Sequence, residues 1–219
     1  MDRQSAINIA VAFAQKWEQL ASKSPDSTKY FSNPSSLPGD TTIYSYPDGS
    51  KGYSIGWGSY KTLSDDTPVV YGSTITKSRA DKEILAEMTS NDDDIFSDIT
   101  ADLNEYQYAA ILDFVYNAGS GGLNYNHDAL LNAINNGGDV VGILKKTAIT
   151  QDGKYLSNLY NRRIDEGLLW NGSEDSLYSM YLRNATAINY TIIGLALIGI
   201  ATYVHYLYKH KIIQNTFGK

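Results

Sequence analysis

SYPDGSKGYSIGWG, residues 45–58, holds four glycines, one proline, three aromatic residues and a single carboxylate, Asp48. Glycine at that density lets a chain reverse sharply, so the stretch is a hairpin: either a plain one or one built to hold an acid in place. An Asp followed by Gly is by itself turn chemistry, and Asp48 acquires a second meaning only if the rest of the chain supplies it with a partner.

Upstream, from Gln4 to about Ala21, apolar residues fall at helical spacing: Ile7, Ala10, Val11, Ala14, Trp17 and Ala21. Glu18 falls in the middle of that stripe. A carboxylate on a face committed to packing is desolvated, which would raise its pKa and keep it protonated, as a general acid requires. The other reading is a helix-end Glu that reaches solvent past Trp17. Between the two acids Ser22 to Asp40 is polar, rich in Ser, and carries Pro25, Pro34 and Pro38, the composition of a long loop.

Downstream, Thr41–Tyr46, Gly52–Gly58 and Val69–Tyr71 read as extended, hairpin-like segments. Helices are expected over Ile75–Met88 with Thr76 as cap, Asn104–Asn117 stopped by Ala-Gly-Ser-Gly-Gly, Asp128–Asn135, Val140–Thr147 and Leu156–Trp170. One helix, a small sheet and then helices alone define an α+β class with segregated elements. Asn91–Asp94 reads as a solvated acidic loop.

Cleaving a glycosidic bond takes one carboxylic acid to protonate the leaving oxygen and a second carboxylate to activate water or stabilise the cationic sugar. An acid at the end of a buried helix and another on a neighbouring hairpin could meet across a cleft. Ser54 could add a hydroxyl for the attacking water; its other role is that of a strand serine facing solvent.

These residues resemble the phage-type lysozymes of glycoside hydrolase family 24. Trp17-Glu18, Tyr46-Pro-Asp-Gly49 and Tyr53-Ser-Ile-Gly-Trp-Gly58 are similar to the family's Glu, Tyr-x-Asp and Thr-Ile-Gly-x-Gly-His signature. The similarity continues through Ile75-Thr76, through Leu103-Asn-Glu-Tyr-Gln-Tyr-Ala-Ala-Ile-Leu-Asp-Phe-Val-Tyr-Asn-Ala-Gly119, through Asp128–Asn135, and through Asn161-Arg-Arg-Ile-Asp-Glu166. It covers about residues 5–172. The resemblance implies a lysozyme-like fold with a small antiparallel β-sheet lobe and a helical lobe. It also implies Glu18 as general acid, Asp48 as the acid that works with water, Ser54 in place of the family's threonine, and Arg162 beside the acid. Tyr53 and Tyr125 are candidates to stack on sugar rings.

Three departures stand out. Glu18 and Asp48 are 30 positions apart, far more than the family's spacing, which makes 22–40 an insertion; keeping the short spacing would move the acid to Gly39 or Asp40. Ser59 stands where the family has histidine. The third departure is at the C-terminus, where Asn184 to Tyr208 contains no formal charge over 25 residues, long enough to cross a hydrocarbon core of about 20 residues' length. The expected organisation is a lysozyme-like domain at 1–172, a linker at 173–184, a transmembrane helix at 185–208 and a basic tail at 209–219.

All 24 acidic residues precede Arg183, and 15 of the 18 basic ones lie at or before it, so the part before the span carries −9 and the tail +3. That balance excludes a basic stripe for nucleic acid. There is no cysteine and hence no disulfide framework. His127 is alone in the part before the span, so neither a metal nor a cofactor is expected. The expectation is a peptidoglycan-cleaving muramidase tethered to a membrane, in a phage virion's internal membrane or the host inner membrane, with glycan strands, lipid and other virion proteins as partners. The competing expectations are a lytic transglycosylase and a lysozyme-like protein that has lost catalysis and binds the wall.

Overall fold

The computed structural model describes residues 1–23, 28–49, 52–119, 127–151 and 153–172. The expected linker, transmembrane helix and basic tail lie outside them, as does Tyr125. Among the described residues no helix is long and apolar enough to cross a membrane.

Helix α1 runs Arg3–Trp17, opened by Asp2, whose side chain accepts from the Gln4 amide, and it buries Ala6, Ile7, Ala10, Phe13 and Ala14. It ends four residues before the expected Ala21. Glu18 is extended, with ψ 154°, and the next residues pair with other strands instead of continuing the helix. Ala21 bridges to both Tyr30 and Tyr44, and Leu20 and Ala21 are fully buried. Long-range pairing thus overrides a helical pattern that was still intact.

The β-lobe consists of short strands. β1 (Thr42–Tyr44) pairs antiparallel with β5 (Thr74–Thr76), Ile43 opposite Ile75. β2 (Tyr46–Pro47), β3 (Tyr53–Ile55) and β4 (Ser59–Tyr60) form a three-stranded antiparallel sheet. The expected strand at Val69–Tyr71 is absent; Thr74–Thr76, assigned in part to the following helix, takes its place. Strands this short need a hydrophobic face. They find it in Ile55, Leu63 and Val69, against which Tyr53 and Ile75 pack.

Thr76 closes β5 and caps α2 (Lys77–Ile95), its hydroxyl accepting from the Arg79 amide at 3.2 Å. The helix passes through Asn91–Asp94, which is therefore not a loop. Asp92 is buried because Arg3 and Tyr108 satisfy it, Tyr108 donating at 2.7 Å. α3 (Glu105–Ala118) begins with a reciprocal capping box between Asn104 and Gln107 and stops at Gly119, φ +80°. Every residue from Tyr108 to Val115 is buried, because α1, α2 and α6 (Ser157–Trp170) all pack against this one helix. α4 (His127–Asn136) and α5 (Val140–Leu144) lead to a hairpin of β6 (Thr150–Gln151) and β7 (Lys154–Tyr155) that precedes α6. The result is a lysozyme-like α+β fold.

Candidate active site

Glu18 is fixed from both sides: its amide donates to the Ala14 carbonyl at 3.0 Å, and Leu20 and Ala21 behind it are locked in the β-lobe. Its Oε1 accepts from Arg162 Nη1 at 2.6 Å, with the Glu18 side chain 21% exposed and Arg162 only 4%. Arg162 is itself held by Asp113, Nε to Oδ2 at 3.0 Å and Nη2 to Oδ1 at 2.7 Å. Burial pulls the guanidinium's pKa down, but Asp113, Glu18 and Glu166 outweigh it and the net direction is up, so Arg162 stays charged.

The other carboxylate oxygen of Glu18 is turned toward Gly58. A β-carbon there would lie 3.7 Å from Glu18 Oε2 and 3.4 Å from the Tyr116 hydroxyl, at φ +120°. The glycine therefore keeps space open beside the acid. Tyr116 donates to the Trp57 carbonyl at 2.6 Å. Burial first, then the charges of Glu18 and Glu87, push its hydroxyl well above the ordinary tyrosine value, leaving a neutral donor.

Asp48 follows β2, its amide donating to the Gly52 carbonyl at 3.0 Å. Ser54, opposite Tyr46 in the β2–β3 register, donates its hydroxyl to Asp48 Oδ2 at 2.7 Å. Ser54 is fully buried, so it stands behind the carboxylate instead of holding water in front of it. Tyr46 senses both acids: burial raises its hydroxyl pKa, and Glu18 and then Asp48 add to the rise.

Glu18 and Asp48 line one cleft of about 750 Å³. Trp17, Tyr30, Tyr46, Gly58, Tyr60, Glu87 and Tyr116 line it too, with Thr150 and Gln151 of the β6–β7 hairpin. Tyr53 does not: its ring meets Tyr71 edge-on at 5.8 Å and packs on the β-lobe cluster, which corrects its reading as a sugar-stacking residue. Gly39 and Asp40 are exposed and outside the cleft, so the short-spacing alternative for the acid has no support in the geometry. Ser59 is buried in β4. Among the described residues no group of three or more His, Cys, Asp or Glu could hold a metal.

Sequence reading missed Asp113, Glu87, Tyr30, Tyr46, Tyr60 and Tyr116. Asp113 left a signal: it is the one carboxylate inside the apolar run Ala109–Val115, the same anomaly that singled out Glu18. Tyr46 and Tyr116 stood inside the motifs that carry the resemblance without being read as site residues, while Tyr30 and Tyr60 left no signal in a chain that holds 18 tyrosines.

A two-lobed α+β fold with paired acids facing one groove defines a glycoside hydrolase of the lysozyme type. The phage lysozyme family matches residues 40–166, more than half of the chain, and the chain belongs to that family. The match begins at Asp40, the last residue of the expected insertion, so Glu18 lies ahead of it. Among solved structures, an endolysin from Escherichia coli O157:H7 phage FAHEc1 is 19% identical, with TM-score 0.54 over 78% of this chain and 93% of its own. A P22 lysozyme mutant is also 19% identical, with TM-score 0.53 over 74% of this chain and 95% of its own. Both likenesses are of fold. No curated protein matches the chain.

Proposed function

We propose that the chain is a muramidase of glycoside hydrolase family 24. It hydrolyses the β-1,4 bond between N-acetylmuramic acid and N-acetylglucosamine in bacterial peptidoglycan. The observation that carries this reading is the opening shared by Glu18 and Asp48. Glu18 gives its proton to the glycosidic oxygen as the C–O bond breaks, and Asp48 takes a proton from the water that attacks the anomeric carbon. With Oε1 turned to Arg162, Oε2 is the oxygen placed to carry the proton. Ser54 orients Asp48, and Arg162, held by Asp113, orients Glu18. Inversion at the anomeric carbon follows if the carboxyls stand about 6.5–9.5 Å apart in the complex, leaving room for water.

The test is to mix the protein and its Glu18→Gln variant with purified peptidoglycan, following turbidity and the mass of the products. Clearing by the unmodified protein alone, with reducing muramic ends, is expected. Anhydro ends would make it a lytic transglycosylase. Binding without clearing by either form would leave a wall-binding protein.

The same proposal includes a tether. The uncharged stretch Asn184–Tyr208 is followed by Lys209, His210 and Lys211, and the net −9 ahead of it offers no attraction toward an anionic wall. A membrane anchor at 185–208, joined through the 173–184 linker, removes the need for that attraction. It holds the enzyme in a virion's internal membrane or the host inner membrane, opposite the basic tail. Protease protection of residues 209–219 in intact particles is expected; a tail cut as readily as the enzyme domain counts against it.

A further inference from the structure

The cleft wall beside Asp48 carries an exposed ring for which neither acid has a use. Tyr30 belongs to the insertion between Glu18 and Asp48 and is 44% exposed. Its backbone is nonetheless fixed. It bridges antiparallel to Ala21, the Phe31 amide donates to the Leu20 carbonyl at 3.0 Å, and the Ser22 amide donates to the Lys29 carbonyl at 2.7 Å. Leu20 and Ala21 lie two and three positions after Glu18, so this ladder ties the position of Tyr30 to the position of the acid.

The ring is held as well. It meets Tyr46 edge-on, centroids 5.8 Å apart, a geometry aromatic pairs favour. Burial and then the charge of Asp48 raise its hydroxyl pKa, so it remains a neutral donor within the field of that carboxylate. Tyr30, Tyr46 and Tyr60 line the same cleft as both acids. An exposed tyrosine alone is ordinary surface. One pinned by a backbone ladder and a neighbouring ring, in a groove with paired acids, is a preorganised contact.

We infer that Tyr30 is a sugar-binding residue contributed by the insertion: its ring stacks on the apolar face of an N-acetylated sugar of the glycan strand, on the Asp48 side of the cleft. The inference rests on the muramidase reading for its substrate. A pyranose presents C–H groups on one face and hydroxyls around its rim, and tyrosine matches this with an apolar body and a polar tip. The insertion that lengthens the spacing of the two acids thereby extends the groove.

The test uses the full chain with Tyr30→Ala and Tyr30→Phe, alone and combined with Glu18→Gln. Two quantities are read: initial rates against peptidoglycan concentration, and affinity for a chitin oligosaccharide by intrinsic fluorescence. Tyr30→Ala is expected to raise KM about three- to tenfold with a smaller change in kcat, and Tyr30→Phe, which keeps the ring, to recover most of the loss. The Glu18→Gln background is expected to show the same dependence in binding alone. Unchanged KM and oligosaccharide affinity in Tyr30→Ala would overturn the inference, as would loss of kcat and melting temperature together at unchanged affinity. A protein that cuts no wall yet binds the oligosaccharide through Tyr30 refutes the muramidase reading and upholds this one; one that neither cuts nor binds refutes both.

Discussion

Arg162 joins Glu18 to the helical core: Nη1 reaches Glu18 Oε1 at 2.6 Å across 144 positions of sequence, while Nε and Nη2 are gripped by Asp113. The planar guanidinium holds both carboxylates in fixed directions, two bonds to Asp113 and one to Glu18, whereas the rotatable donors of an ammonium would fix neither orientation. Removing one partner of a buried ion pair leaves the others uncompensated, at a cost of about 3–5 kcal/mol. Arg162→Gln is therefore expected to lose that much stability in urea titration together with most activity. Arg162→Lys should fold better but remain poorly active, because Glu18 loses its fixed orientation. A lysine variant with unimpaired kcat would show that charge alone suffices.

Behind this pair lies a second, with Arg163 and Glu166 both fully buried and in contact. Arg163 also donates to Asn117 at 2.9 Å and stacks over Phe114. Burial is the larger influence on Glu166 and pushes its pKa well above 4.5, against the opposing pull of Arg163. The sign follows from linkage. A carboxyl raised in the folded state contributes stability below its unfolded value near 4.5, and that contribution is lost as pH rises toward the folded value. Glu166→Gln, which mimics the protonated form, should gain relative to the unmodified protein as pH rises above about 4.5, by at most about 1.4 kcal/mol per pH unit. Denaturant midpoints of both proteins between pH 5 and 8 check this; parallel curves would refute it.

What the sequence disclosed and what it hid divide along the range of the interactions involved. Caps are local, so Thr76 announced the start of α2 and Asn104 and Gly119 the two ends of α3, whereas α2, expected to stop at Met88, runs on to Ile95. Glu18 could be singled out because it broke a local pattern; Asp48, ordinary turn chemistry by itself, took its meaning from that partner and from the resemblance. The end of α1 was hidden: Ala21 fits the helical stripe and is drawn out of it by Tyr30 and Tyr44. Asn91–Asp94 looked like a solvated loop because the partners that bury Asp92, Arg3 and Tyr108, are 89 and 16 positions away. Tyr53 and Tyr30 are chemically alike in sequence, and the sheet register alone turns one into the β-lobe core while the insertion holds the other over the cleft. The β6–β7 hairpin did leave a local trace in the sequence, an Asp-Gly dipeptide at 152–153 of the kind that favours hairpin connections.

In the proposed mechanism Ser54 acts through Asp48. A hydroxyl donating at 2.7 Å to a carboxylate fixes which oxygen faces the cleft, and a bond of this kind contributes about 1–2 kcal/mol. Ser54→Ala should lose stability in that range and lower kcat about tenfold with less change in KM. Asp48→Asn should lose activity by a far larger factor, on the order of 10²–10⁴. Equal kcat in Ser54→Ala and the unmodified protein would show that Asp48 needs no such support.

Gly58 tests whether the space beside the acid matters as much as the acid. Its φ of +120° is a conformation that only glycine adopts without strain, costing another residue about 1–3 kcal/mol. An added methyl would also stand 3.4 Å from the Tyr116 hydroxyl and 3.7 Å from Glu18 Oε2, on the cleft side of the carboxylate. Gly58→Ala should therefore lose both stability and activity. Two companions separate the effects. Gly72→Ala carries a similar strain, φ +78°, with no atom within 4 Å of the added carbon; it should lose stability and keep its rate. Tyr116→Phe removes the hydroxyl bonded to the Trp57 carbonyl; because 3.4 Å is ordinary contact with the added carbon, it should not restore the rate of Gly58→Ala, whose loss then arises on the side facing Glu18. If Gly58→Ala were as active as Gly72→Ala once both are folded, the open space next to Glu18 would have no part in seating the glycosidic oxygen.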